Sequence, residues 1–302
     1  MKTTRYLPLL LALCIGQALA DTPINLRHPA TPTAQVEISN VKGVVSVIAW
    51  DRNEVQVTGR LGEGARPLVI AGSDGDLVIK VEPQGKSGWF SWDSDSRMAP
   101  TDLEVHVPKA ATLDVNVVSA PLDIDGLDGG KIAANSVSGR VRINARTPSL
   151  DVQSVSGSIE LAGRADVAQL QTVSGDILAP ALGSQAELQT VSGRIQVTGG
   201  PWRKVNVSTV SGDVQLRGDL AAAGTIDIDS MSGDVQLELP AAVSASIQAS
   251  SFSGDLRSDF GTTTRHEHGP GSELDARAGS GNGKIHAETF SGDLRIRIRK
   301  GE

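Results

Sequence analysis

The sequence predicts an all-β fold: a parallel β-helix, or β-solenoid, of 18–21-residue coils, preceded by a strand-rich N-terminal part. Two observations predict it. Eight near-copies of one short phrase run down the second half of the chain. They are SVSG at Ser136–Gly139 and Ser154–Gly157, TVSG ending at Gly175, Gly193 and Gly212, SMSG ending at Gly233, SFSG ending at Gly254 and TFSG ending at Gly292. Each is flanked by aliphatic residues alternating with polar ones, the period of a half-buried strand. The glycines lie 18, 18, 18, 19, 21, 21 and 38 residues apart. A unit that short cannot bury an apolar face alone, so each copy must stack on its neighbours.

In chain order, residues 1–20 read as an export signal. Lys2 and Arg5 give a positive start, Leu7–Ile15 an apolar run, and Ala18-Leu19-Ala20 a small-x-small cleavage site before Asp21. The apolar run is too short to span a bilayer, and nothing later is long enough. Leu13 precedes Cys14 where a lipoprotein signal wants a small residue, so cleavage after Ala20 is expected. Cleavage would remove the single cysteine with Lys2 and Arg5, leaving 26 of 28 Lys and Arg against 35 Asp and Glu, net −9. Without cysteine, stability must come from the core rather than from disulfides. The acidic balance argues against nucleic acid as a partner and against an electrostatic hold on a membrane surface.

Residues 21–34 form a lead, and 35–108 a strand-rich N-terminal part of the solenoid. Its strand-like runs are Val36–Trp50, Val55–Thr58, Leu68–Ile70, Leu77–Val81 and Leu103–Val107. Within it, residues 83–101 form a loop in which Trp89, Phe90 and Trp92 gather three of the eight aromatics beyond residue 20. Exposed aromatics beside Asp93 and Asp95 are a candidate ligand surface, able to stack on sugar rings or enter a partner's groove. The competing reading, which we prefer, is a lid over an open end or side of the solenoid.

From 109 to 302 the repeat governs. With each glycine numbered zero, positions −7 and −5 are aliphatic, as in Leu150 and Val152 or Ile226 and Ile228. Positions +2 and +4 are again aliphatic, as in Val141 and Ile143 or Val235 and Leu237. Position −3 is always Ser or Thr, and −2 is Val five times, then Met231, Phe252 and Phe290. This predicts a flip of apolar parity between −3 and −2, and a hydroxyl ladder beside an apolar ladder. Val210 then belongs to the core and Gln215 to the surface. Eight or nine coils stacked at about 4.8 Å give a rod of roughly 40 Å, wider toward its C-terminal end. Right-handed crossovers are the default for parallel strands. Val118-Ser119-Ala120 is a faded earlier copy of the phrase. The 38-residue gap holds a degenerate coil at Ser272–Ala278 after a polar surface loop, Gly261–Gly271.

The stretch Asn40-Val41-Lys42-Gly43-Val44-Val45-Ser46-Val47-Ile48-Ala49-Trp50-Asp51 opens a wider match. It continues through Glu54–Val57 and Leu103-Glu104-Val105-His106-Val107-Pro108 into the VSG-D-I/V repeats. Over nearly the whole chain beyond the signal, the sequence resembles the bacterial β-strand-repeat family of "putative adhesins", a group of unknown function. The resemblance implies a binding role at the cell envelope and brings no catalytic or ligand residues with it.

No catalytic constellation stands out. The serine at −1 recurs in all eight copies, whereas a nucleophile is needed once, and no G-x-S-x-G elbow occurs. Position +1 carries Asp176, Asp213, Asp234, Asp255 and Asp293, with Asp213, Asp234 and Asp255 expected to stack consecutively. Their hard oxygens would suit calcium. The repeat lacks the calcium-binding GGxGxD core, however, and turn aspartates bonded to nearby backbone are the plainer reading. His266 and His268 are too few for a structural zinc site. Gly279–Lys284 has a phosphate-cradle look but no following helix, which makes it a solenoid corner. Arg295, Arg297 and Arg299 on the last strand read as a charged guard on an exposed edge. Together these features predict a non-catalytic, exported scaffold or binding module, periplasmic or on the cell surface, with no cofactor. Its partner would be an envelope protein or glycan. The alternatives are a polysaccharide-active β-helix enzyme and an accessory sensor or assembly protein of the envelope.

Overall fold

The computed structural model describes residues 22–84, 98–265 and 270–299. Among them every regular element is a strand, so the fold is all-β. Two parallel ladders run side by side. One joins Leu77, Val36, Leu113, Ile132, Leu150, Ala168, Ala186, Val205, Ile226, Ile285 and Ile247, the −7 positions of successive coils. The other joins Leu103, Val45, Leu122, Val141, Ile159, Ile177, Ile195, Val214, Val235, Leu294 and Leu256, the +2 positions. All these side chains are buried, as are most of those two residues further along each strand. The core is therefore a single aliphatic column enclosed by the two ladders. Eleven rungs at the usual strand spacing give a stack on the order of 50 Å. That exceeds the expected eight or nine coils because residues 35–108 supply two rungs of their own.

Sequence order and spatial order part company at both ends. Strands Gln35–Lys42 and Val45–Trp50 sit between the coil of Asp76–Lys80 and Asp102–Pro108 and the coil of Thr112–Ser119 and Leu122–Asp128. At the other end, Gly283–Ser291 and Leu294–Ile298 slide in between the Gly233 coil and the Gly254 coil. The last strand is thus paired on both sides. Arg295, Arg297 and Arg299 do not guard an edge: Arg295 reaches Asp234 and Asp293, and Arg299 reaches Asp219. Antiparallel strands finish the stack. Ile70–Ser73 covers Asp76–Lys80, Glu54–Leu61 covers Asp102–Pro108, and Ser272–Ala278 covers Ala245–Ser253.

The repeated glycine is dictated by a close approach between coils. At Gly157, Gly175, Gly193 and Gly212, an added Cβ would collide with the carbonyl oxygen of the glycine one coil earlier. The column continues through Gly233, Gly292 and Gly254 in that spatial order. At Gly139, Gly233 and Gly292 a left-handed backbone, with φ of 128°, 129° and 147°, adds a second reason. The 21-residue coil that ends at Gly233 takes up its extra residues away from the phrase, around Gly218–Gly224. There Trp202, fully buried, packs its ring against Gly218.

Candidate functional site: a groove between an apolar and an amide ladder

Parity along the −7 strand does not flip where the sequence suggested. It runs inward through −7, −5 and −3, then turns outward at −2. The Ser and Thr residues at −3 are therefore buried. Thr172 and Ser251 donate to the carbonyls of Gly157 and Gly292 at 3.4 and 3.2 Å. The hydroxyls of Ser136, Ser154, Thr190, Thr209, Ser230 and Thr289 are buried without a protein partner. The −2 residues lie outside, and Val210, expected in the core, is 49% exposed. A small hydroxyl residue fits the tight inner corner where a valine would crowd the facing ladder, so the larger residue takes the outer position.

The −2 side chains form one exposed apolar stripe: Val118, Val137, Val155, Val173, Val191, Val210, Met231, Phe290 and Phe252 in spatial order, 41–57% exposed. Phe290 and Phe252 stack with centroids 4.8 Å apart and planes 8° from parallel. Alongside runs a polar ladder from position −4: Asn116, Asn135, Gln153, Gln171, Gln189 and Ser208, then Asp229, Glu288 and Ser250. Adjacent amides link, as where Asn135 donates to Asn116 Oδ1 at 3.0 Å. Between the two ladders lies a groove floored by the −3 residues. Its first stretch, from Asn40 to Val210, encloses about 810 Å³, and its continuation over the Gly233, Gly292 and Gly254 coils about 590 Å³. Ser208 and Val210 line both, so the groove is continuous.

Its two ends differ in charge. The first stretch is lined by neutral side chains apart from Lys80, which pairs with Glu82 at 3.5 Å. The second is lined by Asp229, Glu273 and Glu288, with no Lys, Arg or His among the described residues. Desolvation raises the Asp229 carboxyl above its usual range, Asp227 and Glu288 push the same way, and His286 opposes them. His286 lies 3.3 Å from Glu288. Asp227, Asp229 and His286 bring ligand atoms within 4.8 Å of one another. Two carboxylates and one imidazole nitrogen on an open sheet face fall well short of the roughly six to eight oxygens a calcium ion takes. Sequence reasoning missed this cluster because Asp227 and His286 are 59 residues apart; only the interleaved coil makes them neighbours.

Asp213, Asp234 and Asp255 lie in one column, with Asp293 between the last two. The carboxylates of Asp213, Asp234 and Asp293 each accept a backbone N–H from the next coil: Asp234 donates to Asp213 at 3.1 Å, Asp293 to Asp234 at 3.0 Å and Asp255 to Asp293 at 3.0 Å, while the Asp255 carboxylate accepts from Arg257 at 3.0 Å. The expected consecutive stack is thus interrupted by the inserted C-terminal coil. Trp89, Phe90 and Trp92, and likewise His266 and His268, lie outside the described residues. Gly279 and Gly281, with φ of 57° and 71°, form the turn that leads into strand Gly283–Ser291.

Solved structures share the fold. One is a "putative adhesin" from Parabacteroides merdae, 13% identical, covering 92% of this chain and 100% of its own at a TM-score of 0.53. Another is a "putative lipid binding protein" from Parabacteroides distasonis, 14% identical, covering 91% and 96% at a TM-score of 0.52. Among curated proteins, none matches the sequence. Residues 35–297, the full run of the ladders, match a single family model, and the chain belongs to the Toastrack DUF4097 family.

Proposed function

We propose that this protein is an exported, non-catalytic binding module of the cell envelope, and that its ligand lies in the groove between the −2 and −4 ladders. One observation carries the reading: nine side chains that a monomer has no structural need to expose are lined up along the stack. A groove repeated rung by rung suits a long ligand held by many weak contacts, whereas catalysis needs a unique cluster of groups. The names of two neighbours, for adhesion and for lipid binding, agree with a binding role. Export rests on Lys2, Arg5, Leu7–Ile15 and Ala18-Leu19-Ala20. Right-handed winding rests on the crossover rule. The aspartates at +1 serve the turns, and calcium is not required there. No helix among the described residues is long and apolar enough to cross a membrane.

The test compares the wild type with a Val155→Asp, Val173→Asp, Val191→Asp variant for retention by native envelope fractions. The variant should melt within a few degrees of the wild type and lose retention. Equal retention would sink the groove as the site. Turnover of an envelope polymer by the pure protein, abolished by a single substitution, would replace this reading with an enzymatic one.

A further inference from the structure

The groove is asymmetric in a way that specifies its occupant more closely. For six rungs, from Val118 to Val210, the apolar wall faces only amides and a hydroxyl. Over the next three rungs the wall widens to Met231, Phe290 and Phe252, and carboxylates face it. Resting on the assignment of the groove as the binding site, we propose that it takes a linear amphiphile. Its aliphatic tail would run along the valines, and its cationic head would lie at the acidic end, against Asp229, Glu288 and the Phe290–Phe252 pair.

Charge complementarity selects the head. The acidic stretch is lined by no basic side chain among the described residues. The Asp229 carboxyl is raised by burial first and then by Asp227 and Glu288, with His286, 3.3 Å from Glu288 beside the groove, only partly offsetting the two acids. An anion there would meet like charges, whereas a cation would relieve their repulsion. The stacked phenyls, each about half exposed, add ring faces that attract a poorly hydrated ammonium. Geometry selects the tail. The apolar wall is one side chain wide and unbroken, rung after rung, and so matches an extended hydrocarbon chain rather than a bulky globular surface. A peptide fits less well. The backbone groups beside the groove are already paired from coil to coil, so an incoming strand finds no free edge to extend.

The experiment measures binding by calorimetry of two probes with the same twelve-carbon tail, dodecyltrimethylammonium and dodecyl sulfate, below their micellar concentrations. The melting curve is monitored throughout. The wild type should bind the cationic probe at least tenfold more tightly, with a preference that shrinks as salt is raised. In an Asp229→Asn, Glu288→Gln variant the preference should fall to near unity while tail-driven binding persists. In Val173→Asp, Val191→Asp both probes should lose affinity. Equal binding of the two probes by the wild type would overturn the cationic head while leaving the groove as the site. Binding of a neutral oligosaccharide, lost in the valine variant, with no binding of either amphiphile would overturn the proposal and again keep the groove. Failure of the valine variant to change any binding, together with unchanged envelope retention, would remove the groove itself.

Discussion

Gly175 shows how one hydrogen in place of a methyl sets the spacing of the stack. Its φ is not in the left-handed region, yet a Cβ there would collide with the Gly157 carbonyl. Gly175→Ala should therefore cost about 2 kcal/mol or more, because the obstacle is backbone and cannot rotate away. Gly75→Ala, with nothing within 4 Å of the added carbon, should stay within about 0.5 kcal/mol. Urea melts of the two variants make the comparison, and equal costs would contradict the close-approach account. Valines need the same discrimination. Ile228 is fully buried, so Ile228→Asp should unfold the protein or nearly so, since it buries an unpaired charge. Val210→Asp, on the outer stripe, should change stability by less than about 1 kcal/mol. A severe loss at Val210 would mean that the stripe is packed in solution.

Ladders, rather than single side chains, decide the behaviour of each face. On the −4 ladder Asp229 carries a carboxyl raised by desolvation first, then by Asp227 and Glu288. A group raised in the folded state favours folding when protonated, so its benefit is complete below the ordinary aspartate value and is lost as pH rises through the folded value. Asp229→Asn should accordingly stabilise the protein at neutral pH, and the gain should vanish on acidification. Exposure screens the effect, so a rise of a few tenths of a kcal/mol is expected, read from melts at pH 7 and pH 3.5. A destabilised variant at neutral pH would reverse the sign and point to a bound cation. The aliphatic positions −7, −5, +2 and +4 were legible in the sequence because alternation marks them directly. The direction of −2 was not. A valine in a repeat looks like core, and only the continuous parity through a buried serine or threonine shows that it faces out. The groove was thus hidden in residues whose types were correctly noticed and whose side was misassigned.

At the scale of the whole molecule, the signature phrase announced stacking but not the order of stacking. Near-identical rungs can pair with one another almost interchangeably, so register between coils is weakly encoded in the repeat itself. Spacings of 21 and 38 residues gave no indication that the Gly292 coil would lie between Gly233 and Gly254. What fixes that order is the end structure. Ser272–Ala278 turns antiparallel onto Ala245–Ser253 and closes that side, leaving the other side for the final strand pair. Antiparallel covers at both ends limit growth of the stack into fibrils, which a bare parallel edge would invite.

The inserted coil also makes the C-terminus a keystone rather than a tail. A chain emerging from its N-terminus can lay down the middle coils in sequence, but residues 245–258 have no seat until the last strands arrive, because their parallel partner is Gly283–Ile298. Cutting the chain before Leu294 should therefore loosen segments some forty residues upstream. Hydrogen exchange in such a truncation should show Ala245–Ser258 losing protection together with Gly283–Ser291, while the Gly139–Gly212 coils keep theirs. Fraying confined to the severed end would contradict this. An intact terminus is thus the condition for the phenyl pair, one ring on each of these two coils, to exist at all.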